Sequence, residues 1–460
     1  MLRIYLDTNL ITKISNYPLL EETLELYSDY LNVVYSSAHL DDLKRSTDAD
    51  KTELDLSIIK KYSKNQCLAK YWGIEDITYD IRDPFEFFES FTNPSFDLKE
   101  ALTNFDNECN KLGIENPLDK LKNLSIAIPE KSDEINPDST NPFFKRFRDN
   151  PTFASLFEDI AETLQQALNS SDLLKTARNN FDKHLPRKVI GNKKENIIEY
   201  LNIELSKTKL NKSLDEYVLQ SLKLGNKDKS YSQFDWFITR YYCLDLVGYK
   251  SDNNSTTSNL ITDAFHAFYG AHCDIFLSED KKLKEKAKVV YEEFGIETII
   301  WSANEFSEFI DKLIKKIADG KSLVDIILQL RSHPIKATYS NLDNKATITE
   351  YFLEAFFIGY FDTAFWVDTS DGSTIIHFIK DNRTFSKWFY FKELTSLIKI
   401  CIELFGTDVN NNTFLNEEIE FLDQNNWIGR KWAFENFLIQ LNKDKELGFT
   451  LRFDIYTNRA

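Results

Sequence analysis

Glycine is scarce, 13 in 460 residues, which leaves little material for loops that cradle phosphate through bare backbone amides. There is no G-x-x-x-x-G-K-[ST] loop, no G-x-S-x-G elbow and no H-E-x-x-H pair, so P-loop, serine-esterase and zincin chemistry have no support. The five cysteines, Cys67, Cys109, Cys243, Cys273 and Cys401, are odd in number, scattered and free of any C-x-x-C pair. That signals neither a disulfide framework nor a zinc site, and fits a reducing cytoplasm. No apolar run approaches the roughly 20 residues that span a bilayer, and the first residues enter a strand without a basic region and cleavage site. A soluble, cytoplasmic protein with no membrane partner is expected. Positive charge is short too: the formal net charge is -17, the wrong sign for a broad duplex-binding surface. A site that gathers carboxylates around divalent ions is not excluded, because it turns positive only when loaded.

Acids recur at the ends of short apolar strands. Arg3-Ile4-Tyr5-Leu6 ends in Asp7-Thr8-Asn9, and Asn32-Val33-Val34-Tyr35-Ser36-Ser37 leads within about a turn to Asp41 and Asp42. Thr262-Asp263-Ala264-Phe265-His266 reads as a helix start, followed by Cys273-Asp274-Ile275-Phe276-Leu277-Ser278 and Asp280. Residues 2 to 7, 32 to 37, 273 to 278 and 296 to 302 are expected strands, with helical patterns at Leu19 to Tyr27 and Lys281 to Phe294 between them. This alternation predicts an α/β fold with a parallel sheet and flanking helices, whose ligand edge is the carboxyl end of the strands.

Residues 76 to 230 interrupt the rhythm with a mostly helical pattern, including a stripe of Leu156, Phe157, Ile160, Ala161, Leu164, Ala167 and Leu168. Breaks occur at Asp83-Pro84 and from Pro129 to Pro142, and a polar loop from Ser251 to Asn259 is expected to be mobile beside the site. The domain reading is therefore 1 to 75 and 231 to 320 for the two parts of the α/β unit, 76 to 230 for a helical insertion, and 321 to 460 for a C-terminal α+β domain. In the last, Ser370-Asp371-Gly372 signals a hairpin, Glu393 to Phe405 a helix and Phe449 to Tyr456 a closing strand.

Phosphodiester hydrolysis with two divalent ions needs several carboxylates converging on ions about 4 Å apart, and short Asp side chains hold hard cations rigidly. Asp7, Asp42, Asp263 and Asp280 are the candidates, with Asn9 placed to orient Asp7 or a water. In order, D-x-N at the first strand end, Ser36-Ser37 followed by an acid, and Asp263-x-x-His266 followed by Asp274-x-Phe276-x-Ser278-x-Asp280 resemble the PIN-domain ribonucleases. The resemblance covers about residues 1 to 75 and 235 to 320. It implies a PIN-like sheet in which the four acids hold two Mg²⁺ or Mn²⁺ ions, Asn9, His266 and Ser278 support them, and RNA is the substrate. Some members are toxins or defence effectors, so a protein regulator is a further partner to expect. The chain departs from the family pattern in offering Asp41 and Asp42 where Glu is usual, and Ser278 for the usual Thr. Alignment on Leu43 favours Asp42, with Asp41 turned away by about 100°.

Each residue also has a plain structural reading. Asp7 is equally a helix cap, Asp263 a dipole partner of its helix, and Asp274 a turn residue outside the metal set. His266 shares a helix face with Asp263 and is expected to orient the site by hydrogen bonding rather than to bind metal. Lys44, Arg45 and Lys281 follow acids directly, and Arg240 stands among Trp236, Phe237, Tyr241 and Tyr242, where it is a candidate phosphate clamp; packed rings and solvated charges are the alternatives. A metal-dependent endoribonuclease is the favoured reading. The others are a PIN-like scaffold without catalysis and an aspartyl-phosphate hydrolase, which usually carries a second Asp where Asn9 stands.

Overall fold

The computed structural model describes residues 1–70, 77–90, 171–172, 175, 178–179, 196–208, 211–225, 231–252, 255–315, 327, 329–341, 346–370, 372–380, 390–410, 427–444 and 448–456. β1 (Leu2–Leu6) is buried along its whole length, as a central strand covered on both faces must be. It is followed by α1 (Thr8–Thr12), α2 (Pro18–Leu26), β2 (Leu31–Ser36), α3 (Ser37–Lys44), α4 (Ala49–Ser63), β3 (Gln66–Ala69), β4 (Thr78–Ile81) and α5 (Pro84–Ser90). Further along the chain come α6 (Ile197–Ser206) and α7 (Leu214–Gly225), both within the insertion, and then α8 (Gln233–Leu246), α9 (Thr257–Gly270), β5 (Ile275–Leu277), α10 (Lys281–Phe294), β6 (Ile299–Trp301) and α11 (Ala303–Leu313).

Among the described residues these strands form a six-stranded sheet in the order β4-β3-β2-β1-β5-β6. All neighbours run parallel except the edge pair β3 and β4. The chain builds outward from β1 to β4 and then returns to the other side of β1, so the strand order reverses between β1 and β5. Crevices form at the carboxyl ends of strands at such a switch point. Alternation divides the core in two. Tyr5, Val34 and Phe276 face α6 to α10. Ile4, Leu6, Tyr35 and Leu277 face α1, α2, α4, α5 and α11.

β1 ends one residue before the predicted span does, β2 is shifted one residue earlier, and β5 and β6 keep only three residues each of theirs, while α10 occupies the predicted span between its Asp280 cap and Gly295 at φ 64°. Among the elements not foreseen are β3, β4, α4 and α11. β4 and α5 also lie on the sheet, although the sequence reading began the insertion at residue 76. The insertion's described helices α6 and α7 bury Leu201, Leu205, Leu214, Val218 and Leu222 in the α/β core. Both the Leu156 to Leu168 stripe and the Pro129 to Pro142 break lie outside the described residues.

The C-terminal α+β domain contains β7 (Ile314–Lys315), β8 (Ile335–Asn341), β9 (Ala346–Phe357), β10 (Phe361–Asp368), β11 (Thr374–Ile379), α12 (Tyr390–Phe405), β12 (Arg430–Ala433), β13 (Phe437–Asp444) and β14 (Gly448–Ile455). Its sheet runs β12-β13-β14-β11-β10-β9-β7 with β8 also on β9, and α12 buries Leu394, Leu397, Ile398 and Cys401 against it. The expected hairpin joins β10 to β11, with Gly372 at φ 87°; Asp371 lies outside the described residues.

This domain meets the amino edge of the parallel sheet, where the strands begin. Arg3 Nε pairs with Glu393 of α12 at 2.7 Å with both side chains buried, and Lys380 pairs with Asp274 at 2.7 Å. Asp274 also accepts the Arg3 backbone N–H at 2.7 Å, so it is structural. Tyr30, just before β2, packs so tightly on Gly359 that a Cβ there would lie 2.7 Å from its ring.

Candidate functional site

β2, β1 and β5 are neighbours, and acids gather at their carboxyl ends. The Asp7 backbone N–H donates to Leu277 O at 3.0 Å, which fixes the end of β1 beside that of β5. One Asp7 oxygen caps α1 by accepting the Leu10 N–H at 2.7 Å, and the other accepts the Ser278 hydroxyl. Ser278 Oγ in turn accepts the Asp280 N–H at 3.0 Å. Asp280 caps α10 through one oxygen, which takes the N–H groups of Lys282 and Leu283 at 2.7 and 3.0 Å. Capping and site formation therefore coincide for both acids.

Asp42 lies in α3 and meets His266 of α9, Nε2 to Oδ2 at 3.0 Å. Thr8 Oγ1 is 3.0 Å from the same nitrogen, and His266 Nδ1 is 2.7 Å from the Tyr5 hydroxyl, which lies 2.7 Å from Ser36 Oγ. Both ring nitrogens of His266 are engaged, Nδ1 with Tyr5 and Nε2 with Asp42 and Thr8, so the ring is held against Asp42. Burial lowers the His266 pKa, but the Asp42 hydrogen bond and charge outweigh it and leave it raised. Asp42 mirrors this: burial raises it, and His266 brings it below the usual carboxylate range. His39, fully buried beside His266, is pushed down to about 3 by burial and by that neighbour.

Asp263 is not in the first turn of its helix. α9 starts at Thr257 with Thr256 as its cap, so Asp263 stands well inside it and is no dipole partner. Among the described residues nothing donates a hydrogen bond to its carboxylate and no cation pairs with it. Burial, together with the Asp280 and Asp42 charges, pushes its pKa up to about 7 against the pull of Lys286 and His266. Burial also raises Asp7, with Ser278 opposing.

A cleft of about 430 Å³ is lined by Asp7, Thr8, Asn9, Asp42, Arg45, Asp263, His266 and Asp280, with Lys13, Lys51, Asp55, Asp245, Lys282 and Lys286 around them. Ser278 is buried beneath. Asn9 is exposed and accepts Lys13 Nζ at 3.1 Å. Asp41 does not line the cleft; it accepts the Thr262 hydroxyl at 2.7 Å and pairs with Arg45. Arg45 reaches on to Asn259 at 2.9 Å and to Asp42 at 3.7 Å. Residues 257 to 259 of the expected loop are the first turn of α9, while Asp252 and Ser255 reach the cleft.

Two expected phosphate contacts lie elsewhere. Arg240 is buried and pairs with Asp215 at 2.5 Å and Glu293 at 2.6 Å, tying α7, α8 and α10 together. Lys44 Nζ sits 4.2 Å from the centre of the Phe88 ring.

Sequence reading missed Asp245 and Lys286. Asp245 is buried at the end of α8 and accepts Lys286 Nζ at 2.9 Å and Arg178 Nε at 2.8 Å. The signal was one of phase: Asp245 falls four residues after Tyr241, and Lys286 three after Leu283 and four before Val290, so both ionisable groups occupy apolar stripes.

The donor chemistry suits a hard divalent cation, being oxygen-rich and free of sulfur. The spacing does not yet match, since among the described residues no group of three or more His, Cys, Asp or Glu side chains stands close enough to hold a metal ion. No family model, curated protein or solved structure matches this chain. No described helix is long and apolar enough to cross a membrane.

Proposed function

We propose that the chain is a PIN-like, metal-dependent nuclease that hydrolyses phosphodiester bonds, with RNA as substrate. The observation that carries this reading is the gathering of Asp7, Asp42, Asp263 and Asp280 on one cleft at a strand-order reversal, with Asp263 uncompensated and its pKa near 7. A half-buried carboxylate in that state costs stability unless a cation meets it. To hold Mg²⁺ or Mn²⁺, which would supply an activated water and charge stabilisation, the four acids would have to draw closer together than they stand in this structure. The chain's own residues have separate tasks: His266 and Ser278 fix Asp42 and Asp7, while Arg45, Lys13 and Lys51 offer positive charge on the rim. RNA is preferred over DNA by the family resemblance alone, as are a protein regulator and a toxin or defence role, while a cytoplasmic setting rests on the scattered cysteines without a C-x-x-C pair.

A scaffold reading is favoured by one observation: Asp7, Asp42 and Asp280 each have a structural partner. Labelled single-stranded RNA and DNA, incubated with wild type and Asp7→Asn with and without Mn²⁺, separate the two. Cleavage of RNA by wild type alone, abolished by EDTA, is expected. No cleavage of either polymer supports the scaffold, and phosphate trapped on Asp7 would instead indicate an aspartyl-phosphate hydrolase.

A further inference from the structure

Asp245 is neutralised twice. Its carboxylate is held by Arg178, from the insertion segment, and by Lys286 of α10, all three side chains being buried. A structural ion pair needs one cation for one acid, so among the described residues these three side chains together carry one more positive than negative charge, and Lys286 acts on nearby Asp263 across space without pairing with it. The surplus lies on the cleft, which both Lys286 and Asp245 line. Lysine has three N–H donors. Among the described residues Lys286 uses one in a hydrogen bond, to Asp245, and its ammonium lies 4.7 Å from the centre of the Tyr241 ring. It makes no ion pair with Asp263 or Asp280, although it stands on the helix that Asp280 caps.

We infer that Lys286 is a substrate-binding residue whose ammonium contacts a phosphate oxygen of the nucleic acid at the scissile position. This rests on the nuclease reading above and adds to it a fixed cation inside an acidic site. Asp245 and Arg178 hold that cation in place, so the insertion segment contributes to the site through Arg178. The competing account is that Lys286 merely offsets the charge of the neighbouring acids. The two accounts part once divalent ions are present: cations on the acids leave a charge-offsetting lysine without a task, whereas a phosphate contact is still needed.

The test measures single-turnover cleavage of labelled single-stranded RNA at saturating Mn²⁺, together with Mn²⁺ affinity in the absence of RNA, for wild type, Lys286→Met and Lys286→Arg. Arg178 still neutralises Asp245 in the Met variant, so no buried acid is left unpaired. Cleavage by Lys286→Met should fall by about 100-fold, the size expected for loss of one preorganised charge contact. Mn²⁺ should bind as tightly as before or more tightly, since a like charge has gone, and Lys286→Arg should recover part of the rate. If Lys286→Met does not fold, Lys286→Gln keeps a hydrogen bond to Asp245 without the charge and carries the same comparison. Wild-type cleavage by the neutral variant at saturating Mn²⁺ would overturn the proposal and leave the nuclease reading standing. Parallel loss of Mn²⁺ affinity and rate would also overturn it. Failure of wild type to cut RNA would remove the nuclease reading itself, and the proposal with it.

Discussion

Asp263 has no partner among the described residues, whereas Asp7, Asp42 and Asp280 each accept at least one hydrogen bond, so of these four acids it is the one left unrelieved. Its pKa rises from an ordinary 3.8 to about 7 on folding. Between those values the unfolded chain is ionised while the folded one keeps its proton, so this group reduces stability progressively as pH rises from about 4 to 7, and no further above that. In EDTA, the melting temperature of Asp263→Asn should therefore gain on wild type across that window and then hold a constant lead. A gap that stays flat with pH would show that Asp263 is not held in this state. Mn²⁺ should raise the wild-type melting temperature, and raise that of Asp263→Asn less. Neighbouring Asp41 and Asp42 should behave differently. Asp42→Ala should reduce cleavage by at least about 100-fold, while Asp41→Ala, which frees Arg45 and Thr262, should act mainly on thermal stability. Equal rates for the two variants would place the wrong acid in the cleft. Asp7, Asp42 and Asp280 were legible because each follows a strand or opens a helix at short range. Asp245 and Lys286 were not, because Lys286 stands among Lys281, Lys282, Lys284 and Lys288 and only its phase against Leu283 and Val290 sets it apart. Arg240 misled for the opposite reason: its aromatic neighbours marked burial, and Asp215 and Glu293, which pair with it, are distant in sequence.

α9 carries both Asp263 and His266, and its height above the sheet is set at its last residue. A Cβ on Gly270 would lie 2.7 Å from Phe276 Cγ and 3.0 Å from the Tyr291 hydroxyl, which is itself fixed on Ala267 O at 2.5 Å. Gly270→Ala should cost about 1–3 kcal/mol of stability, the usual range for overpacking. Because the whole helix must move to accept the methyl group, cleavage should fall as well; unchanged stability would mean the helix is not seated so closely. At this scale the sequence spoke clearly where an element had a cap or turn at each end, as α10 does with Asp280 and Gly295. β3 was illegible because its four residues are all buried and show no alternation. β4 is as short and only partly buried, and it joins the sheet through pairing with β3, which local pattern does not report. α4 has a weak apolar stripe in which Thr52, Asp55 and Ser63 are buried beside Leu56 and Ile59, so its period was masked by polar residues on the inner face.

Across the molecule, the two sheets are joined at the edge remote from the cleft by Arg3 with Glu393 and Asp274 with Lys380. Breaking a buried pair by removing one partner costs about 3–5 kcal/mol. Arg3→Met should therefore lower the melting temperature of the α/β unit and of the C-terminal domain together, and wild type should unfold in one calorimetric transition. Two separated transitions in wild type would show that the ion pairs do not couple the domains. The existence of a C-terminal α+β domain was legible from its hairpin and helix, whereas its docking was not, since single charges at strand starts look like solvated ones. The strand order also sets a timetable. Asp7 and Ser278 meet across 271 residues of chain, and β1 pairs with β5 only after that interval has been synthesised. At about 5–20 residues per second, the ribosome needs roughly a quarter to a full minute to cover it. During that time β1 lacks one of its two neighbours and two of the four acids do not yet exist, so a nascent chain has no cleft. The cleft is among the last parts of this half of the protein to come into being.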